Sequence, residues 1–172
     1  MEFEKVLKIR RSIRAFKGKE IEEAKIKKIL EAANSAPSAG NLQAYKIILV
    51  KSQEKKFALA KAAFGQSFIS EAPIVLVFLA DPTRSEIKYG ERGKKLYCIC
   101  DTALAAYSAW LSAANLDLGA CWVGAFDDNK VKEILSVDTD LIPVCILPIG
   151  YKAEEGFKTS RRNLKELVSK IL

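Results

Sequence analysis

Histidine is absent from the 172 residues of the chain. Without it there is no Ser–His–Asp or Cys–His catalytic centre, no histidine-ligated metal and no imidazole acid–base pair. The four cysteines show no CxxC spacing, and no GxGxxG dinucleotide fingerprint or GxxxxGK[ST] phosphate loop occurs. An enzyme with this composition takes its chemistry from carboxylates, cysteines or a bound cofactor, and we expect no metal site.

Long apolar runs are also missing. The charge-free stretch from Thr102 to Leu116 is shorter than the roughly 20 residues that span a bilayer. The chain begins with Glu2 and Glu4, where a secretory signal would carry bases. All four cysteines lie in apolar runs, which is typical of reduced, buried thiols: Cys98, Cys100, Cys121 and Cys145. These features predict a cytoplasmic protein that does not enter a membrane.

The charge is positive and unevenly distributed. Lys and Arg number 28 against 21 Asp and Glu, a formal charge of +7. Most bases alternate with acids on helical faces, which indicates solvated surface rather than a nucleic-acid site. The exceptions are the clusters Arg10–Arg14 and Arg161–Arg162. Since the guanidinium fork matches phosphate oxygens, the two clusters either converge on one phosphate or are scattered surface arginines.

Hydrophobic periodicity and turn residues predict alternating helices and strands in one α+β domain. The predicted helices are 2–10, 22–34, 54–63, 97–115, 129–135 and 163–171. The predicted strands are 46–50, 74–80, 119–126 and 141–149, with an extended segment over 12–16. Pro143 and Pro148 place the last strand at a sheet edge. The polar stretch 82–95, with Gly90 and Gly93, is predicted to be a mobile surface segment.

Three segments carry residues suited to binding a small molecule. Residues 10–16 offer three guanidiniums and a hydroxyl, with Ser12 and Arg14 on one side of an extended chain. Residues 37–45 combine small residues with the side-chain amides of Asn41 and Gln43, which suit a heterocycle edge or a polyol. Residues 119–126 offer exposed backbone N–H groups to a flat ligand beside Trp122. Together they predict pockets for a phosphate, a polar linker and an aromatic heterocycle.

These segments resemble, in order, the motifs of the nitroreductase-like family of FMN-dependent oxidoreductases in its compact form. Residues 10–16 fit an RRSxRxF entry, and residues 37–43 fit a PS[SA]xNxQP loop. Residues 104–124 fit an Ala-rich helix followed by a GLGxCWIG-type strand. Residues 151–164 resemble the closing segment. The resemblance implies one FMN-binding domain over 1–172, with a mostly antiparallel mixed sheet of four to five strands flanked by helices.

The resemblance also implies roles for individual residues. The FMN phosphate and ribityl chain would be held by Arg10, Ser12 and Arg161, with Arg11 or Arg162. Arg14 would lie near the pyrimidine edge and stabilise reduced flavin. A loop of the second subunit of a homodimer would contribute Pro37, Ser38, Asn41 and Gln43. The backbone of Val123, Gly124 and Ala125 would face the flavin N5 side. Ala44 and Tyr45 depart from the family's usual Pro and Trp.

The implied activity is a ping-pong reaction on tightly but non-covalently bound FMN. NAD(P)H would reduce the flavin, which would then reduce a nitroaromatic, a quinone or a similar flat acceptor. One alternative is a flavoprotein of the same fold with a different reaction, such as reductive dehalogenation or flavin cleavage. The other is a non-catalytic basic module that binds nucleic acid. The sequence does not distinguish NADH from NADPH, nor does it identify the acceptor or the pathway.

Overall fold

The computed structural model describes residues 2–168 and 170. Its strands are β1 Tyr45–Val50, β2 Ile74–Ala80, β3 Leu118–Ala120 and β4 Ile142–Tyr151. Its α-helices are α1 Phe3–Ile9, α2 Glu23–Asn34, α3 Gln53–Ala62, α4 Phe68–Glu71, α5 Pro82–Arg92, α6 Cys98–Asn115, α7 Asp128–Leu135 and α8 Leu164–Leu167. A short 3₁₀ turn spans Ala39–Asn41, and a π-helical turn, Gly93–Tyr97, leads into α6.

The four strands form one antiparallel sheet in the order β1-β2-β4-β3. Along β2, Ile74, Leu76 and Phe78 belong to the core shared with α2 and α6. The intervening Val75, Val77 and Leu79 belong to the core shared with α3, α4 and α7. Successive side chains of a strand point to opposite faces of the sheet. Since β2 is apolar at every position, it can be buried on both faces. The result is an α+β fold with the sheet between two helical layers, as predicted.

The helices predicted by periodicity are present within a few residues of the expected ends. The α2 helix buries Ile26, Ile29 and Ala33, which lie at helical spacing. The α7 helix begins where Asp127 accepts a hydrogen bond from the Lys130 amide at 3.1 Å, a standard N-cap. The predicted helix 163–171 is observed over Leu164–Leu167; its residues 169 and 171 lie outside the described residues.

Residues 82–95 lie mostly on the surface, as predicted, but the prediction omitted their helix and was wrong in that respect. They form α5 and part of the following π turn. Pro82 occupies the first turn of α5, and Asp81 caps it by accepting from the Arg84 amide at 3.0 Å. Gly90, with φ of 54°, kinks the helix instead of ending it. Two glycines suggested a loop, but one marks this kink and the other, Gly93, packs against Ser85.

The prediction that the last strand lies at a sheet edge was also wrong, since β4 pairs with both β2 and β3. Pro143 is tolerated at a β-bulge, where the register with β2 shifts between Phe78 and Leu79. The Ile146 amide donates to Val123 on the β3 side. Pro148 lies two residues after Ile146, so its nitrogen also faces the β3 side of the strand. The hydrogen-bond ladder between β4 and β3 is interrupted at that point. Neither proline therefore removes a hydrogen bond that the β2–β4 pairing needs.

Two further expectations need correction. The predicted strand 119–126 is regular only over Leu118–Ala120, with one isolated bridge from Val123 to Ile146. Burial of all four cysteines was expected, but the side chain of Cys100 is exposed. Cys98, Cys121 and Cys145 are buried free thiols, as predicted.

The α6 helix runs through the molecule with alanines on its buried faces. Its other face carries an exposed apolar stripe at helical spacing, together with the π turn. We define the α6 stripe as the side chains of Leu96, Cys100, Leu104, Tyr107 and Leu111. Leu104, near its middle, is 44% exposed. Among the described residues, no helix is both long and apolar enough to cross a membrane.

Candidate functional site

The arginine-rich segment after α1 is fixed to the sheet by its backbone. The Ile13 amide donates to the Ala120 carbonyl at 3.0 Å, which forms a parallel bridge between Ser12 and β3. The Ile13 side chain is 2% exposed and lies in the core. Because neighbours in an extended chain point to opposite sides, Ser12 and Arg14 face away from the core, as predicted.

The closing segment of the chain returns to the same place. Phe16 and Lys152 form an antiparallel bridge, and the Ala153 amide donates to Ala15 at 3.0 Å. Gly156 then adopts φ of +69°, with its Cα so close to Arg11 that an added Cβ would lie 2.9 Å from the Arg11 Cβ. A glycine is required there both for the left-handed backbone and for the close approach. This turn brings Arg161 alongside Arg10.

A cavity of about 760 Å³ lies between these two segments and α6. Its volume is in the range of small-molecule sites. Among the described residues, six basic side chains line it and no carboxylate does: Lys8, Arg10, Arg11, Arg14, Lys158 and Arg161. Its other lining residues are Leu7, Ser12, Tyr107, Trp110, Phe157 and Thr159. Such a cation-rich cavity is suited to a phosphorylated ligand.

The arginines of this cavity are held in different ways. The Arg10 guanidinium carbon lies 4.3 Å from the centroid of the Trp110 ring. Burial lowers the pKa of Arg10, and the nearby charges of Arg161 and Arg11 lower it further, while Tyr107 raises it. By contrast, Arg11 Nη1 donates to the Lys8 carbonyl at 2.6 Å and caps the end of α1.

Arg161 and Arg162 are also distinct. Arg161 Nη1 donates to Thr159 Oγ1 at 2.6 Å and to the Ser160 carbonyl at 2.9 Å, so its own segment orients it. Arg162 is exposed and does not line the cavity. Of the two, the structure therefore brings only Arg161 to the Arg10–Arg14 segment.

Arg14 is an exposed residue that lines the cavity on the side of Cys121. Its amide donates to Glu154 Oε1 at 2.6 Å, and its guanidinium carbon lies 5.9 Å from the Phe68 ring centroid. Burial raises the pKa of the nearby Cys121 thiol, and both Arg14 and Ser12 partly oppose that rise. Arg14 therefore places a positive charge near both the cavity and the sheet end at Cys121.

The loop 37–43 is a rigid polar turn away from this cavity. Gly40, Asn41 and Gln43 adopt positive φ of 56°, 58° and 49°. Ser38 Oγ accepts from the Gln43 amide at 2.9 Å, and Gln43 Nε2 donates to Asn41 Oδ1 at 3.0 Å. Neither these residues nor Pro37 line the cavity of their own chain. The loop thus presents its amides elsewhere on the protomer.

Two side chains hold this loop from opposite sides. Asp101 of α6, 3% exposed, accepts from the Ala39 amide at 2.9 Å through Oδ1. Arg84 of α5 donates to the Leu42 carbonyl through Nε. The ends of the Lys88 and Tyr89 side chains lie over Gly40, where an added Cβ would come within 2.7 Å of Lys88 Nζ. The α5 helix therefore braces the loop.

Asp101 makes a pH-dependent contribution to stability. Burial raises the pKa of its carboxyl group, and its Oδ2 has no hydrogen-bond partner among the described residues. The folded protein then binds the Asp101 proton more tightly than the unfolded chain does. The free energy of unfolding is therefore expected to fall as pH rises from the usual aspartate range, about pH 4, through the raised pKa.

Asp101→Asn and Asp101→Ala test this role in urea unfolding followed across that pH range. Asn keeps an oxygen acceptor for Ala39 and is expected to flatten the pH dependence. Ala leaves the Ala39 amide unpaired and is expected to cost about 1–3 kcal/mol. An unchanged pH dependence in Asp101→Asn would contradict the assignment.

The segment Val123–Ala125 borders the loop between α3 and α4. Both backbone groups of Val123 bond to Ile146 at 3.0 Å, so neither is available to a ligand. The Ala125 carbonyl accepts from Gln66 Nε2 at 3.3 Å. Gly124 and Ala125 are exposed, and their amide groups are the ones in this segment that can meet a ligand.

Sequence reasoning missed the α6 side of the cavity. Tyr107 and Trp110 lie three residues apart and so share a face of α6. A helix apolar on nearly every side does not reveal which face meets a ligand. Lys8 and Lys158 were also missed because lysines among acids suggest solvated surface. The i, i+3 aromatic pair is the signal that was available.

The geometry agrees with comparisons with known proteins. The Nitroreductase family model matches residues 7–151. The chain is 33% identical over 186 aligned residues to an NADH dehydrogenase of Thermus thermophilus, covering 92% of this chain and 91% of that protein. It is 30% identical to an FMN reductase [NAD(P)H] of Bacillus subtilis, covering 88% of this chain and 66% of that one.

Solved structures show the same fold. An FMN-dependent nitroreductase of Clostridium difficile superposes with a TM-score of 0.79 at 31% identity, covering 97% of this chain and 96% of that one. A nitroreductase family protein of Clostridium novyi superposes with a TM-score of 0.82 at 33% identity, covering 90% and 87%. The matched region contains the sheet, the Arg10–Arg14 segment and α6. The chain belongs to the nitroreductase family.

Proposed function

We propose that the protein is an FMN-dependent oxidoreductase that takes electrons from NAD(P)H and passes them to a nitroaromatic, a quinone or a similar flat acceptor. The observation that carries this proposal is the cavity with six basic side chains and no carboxylate. The proposal is supported by the family match and by relatives described as FMN reductase and FMN-dependent nitroreductase. Bound FMN supplies hydride acceptance and donation, so the absence of histidine is compatible with catalysis.

The residues of the cavity fit the phosphate and ribityl chain of FMN. Arg10 and Arg161 present guanidinium groups from two chain segments, and Ser12 adds a hydroxyl beside them. The repulsion between the two guanidiniums is relieved when a dianionic phosphate lies between them. Arg11 is engaged in capping α1, which makes it a secondary phosphate ligand.

We place the pyrimidine edge of the flavin at Arg14, which lines the cavity on the side of Phe68 and Cys121. Its positive charge favours the reduced, more negative cofactor. The amides of Gly124 and Ala125 would meet the flavin at its N5 side. Val123 would border the flavin there without forming a backbone hydrogen bond to it, because both of its backbone groups bond to Ile146.

We also propose that the protein is a homodimer with the flavin at the subunit interface. The α6 stripe is an exposed apolar surface of the kind that marks protein interfaces. Tyr107 belongs both to this stripe and to the cavity lining, so a partner packed on the stripe borders the cavity. The partner's loop 37–43 would then supply Pro37, Ser38, Asn41 and Gln43.

Leu104→Glu tests the dimer. A carboxylate in an apolar interface must be desolvated, so we expect sedimentation to show monomers. The FMN dissociation constant is expected to rise about tenfold or more, because the partner's loop is lost; tenfold corresponds to about 1.4 kcal/mol. Phe57→Glu is the matched control, since Phe57 is 54% exposed but lies on α3. A dimer in Leu104→Glu would contradict the assignment of this face.

We propose that the whole chain, 1–172, forms one FMN-binding domain, because the closing segment completes the cavity through Arg161. A cytoplasmic location is proposed from the four unpaired thiols. No nucleic acid is proposed as a partner, since the basic clusters line a cavity.

Steady-state kinetics test the activity. With FMN-loaded protein, initial rates measured against NAD(P)H at several quinone concentrations are expected to give parallel double-reciprocal lines, the pattern of a ping-pong reaction. Free FMN at the same concentration is the control. Rates no higher than this control, with both nicotinamides and with quinone and nitroaromatic acceptors, would overturn the proposal. They would favour a same-fold flavoprotein with another reaction.

A further inference from the structure

The contact between Arg10 and α6 links the cavity to the helix behind it. Arg10 occupies the C-cap position of α1, and its φ of −57° and ψ of 121° lead the chain out of the helix. Its side chain crosses to α6, where the guanidinium carbon lies 4.3 Å from the Trp110 ring centroid. Trp110 is only 9% exposed, which makes its indole a fixed surface.

The stacked geometry leaves the Arg10 donors available. A guanidinium stacked on an aromatic ring uses its face, while its N–H groups point outward in its plane. Among the described residues, no carbonyl or carboxylate accepts a hydrogen bond from the Arg10 side chain. Arg11 and Arg161 differ, because each donates through Nη1 to its own segment. Arg10 therefore offers a less committed fork than Arg11 or Arg161 does.

The position of Arg10 also needs support against like charge. Arg161 and Arg11 both lie close enough to lower its pKa, and burial lowers it more. No acidic side chain lines the cavity to hold it in place. A long, flexible side chain in these surroundings would otherwise turn away toward solvent. Two side chains of α6 hold it at the cavity: the Trp110 ring beneath its guanidinium and Tyr107, which lies close enough to raise its pKa.

We propose that Trp110 is a positioning residue that holds the Arg10 guanidinium for the phosphate of the flavin and so makes the site selective for FMN over riboflavin. The proposal rests on the proposed function, since it assumes that FMN binds in this cavity. Trp110 itself acts through Arg10 and not by contact with the phosphate.

The test is the ratio of the riboflavin and FMN dissociation constants in a graded series at position 110. Tryptophan is the best cation–π partner, tyrosine or phenylalanine are weaker, and methionine has no ring. We expect the ratio to fall about two- to threefold in Trp110→Phe and about tenfold in Trp110→Met, the latter corresponding to roughly 1.4 kcal/mol. General damage to the cavity would weaken the binding of FMN and of riboflavin equally and would leave the ratio of their dissociation constants unchanged.

A double-mutant cycle with Arg10→Ala separates the direct and indirect roles. In the Arg10→Ala background, Trp110→Met is expected to leave the ratio unchanged, because the group that it positions is gone. Equal ratios in wild type, Trp110→Phe and Trp110→Met would overturn the proposal. Trp110→Phe conserves an apolar ring, so the comparison does not depend on whether Trp110→Met folds.

The failure of the proposed function would be seen before any variant is made. Wild-type protein that binds FMN no more tightly than riboflavin has no phosphate site in this cavity. Wild-type protein that prefers FMN, with a ratio that is insensitive to position 110, retains the phosphate site and refutes only the role of Trp110.

Discussion

Arg10→Ala is expected to raise the FMN dissociation constant about 100-fold while changing that of riboflavin less than about twofold. In the proposed complex the variant would remove a charge-assisted, bidentate contact to the phosphate, and two such hydrogen bonds are worth about 3 kcal/mol, or two orders of magnitude in affinity. Riboflavin has no phosphate, so its affinity reports whether the rest of the site is intact. Flavin fluorescence titrations with both ligands measure the difference.

Arg11→Ala is the matched control for this prediction. The two arginines are neighbours with the same charge, and both line the cavity. Arg11, however, donates to the Lys8 and Arg10 carbonyls and serves the end of α1. We expect it to weaken FMN binding less than about fivefold, because the general positive charge falls by one. An Arg11→Ala effect larger than that of Arg10→Ala would reverse the assignment.

Gly119→Ala is expected to lower the free energy of unfolding by about 1–3 kcal/mol, the usual cost of overpacking a core. An added Cβ would lie 2.7 Å from Ile13 Cγ2 and 2.8 Å from Lys152 Cγ. Both neighbours belong to segments that build the cavity, and Ile13 anchors Arg10–Arg14 to β3. We therefore expect weaker FMN binding as well as a lower melting temperature.

Gly18→Ala is the control for that variant. No atom lies within 4 Å of the position where its Cβ would be, and Gly18 is exposed before α2. Its free energy of unfolding is expected to change by less than about 0.5 kcal/mol, with FMN affinity unchanged. Equal stability of Gly119→Ala and Gly18→Ala would show that Ile13 yields freely, which would contradict its role as an anchor.

Local sequence patterns predicted much of the fold because the helices and strands carry their own signals. The residues buried by α2 are those at helical spacing, and β2 was bounded correctly from its apolar run alone. The α5 helix was missed because Gly90 and Gly93 suggested a loop, whereas the helix starts at the Asp81 cap and Pro82 and continues past Gly90 as a kink. The central position of β4 was missed because it depends on which side of the strand each proline nitrogen faces, which is a property of the sheet.

The candidate site was predicted where residues act within one segment. Ser12 and Arg14 lie on one side of an extended chain, as alternation predicts, and Arg161 lines the same cavity; the roles that the resemblance implies for them stay predictions. The different roles of Arg10 and Arg11 were not predictable from the sequence. They depend on tertiary contacts, because Arg10 lies over Trp110 whereas Arg11 caps the end of α1. The support of loop 37–43 by Asp101 is a contact across 62 residues, beyond any local pattern.

In the proposed reaction, the chain binds FMN in the arginine-lined cavity and a nicotinamide reduces it. The most direct test is an anaerobic titration of FMN-loaded protein with NADH and, separately, NADPH, with no acceptor present. We predict loss of the oxidised-flavin absorbance band at about one equivalent of at least one donor, since hydride transfer reduces one flavin per nicotinamide. An oxidised spectrum that persists with excess of both donors would contradict the account.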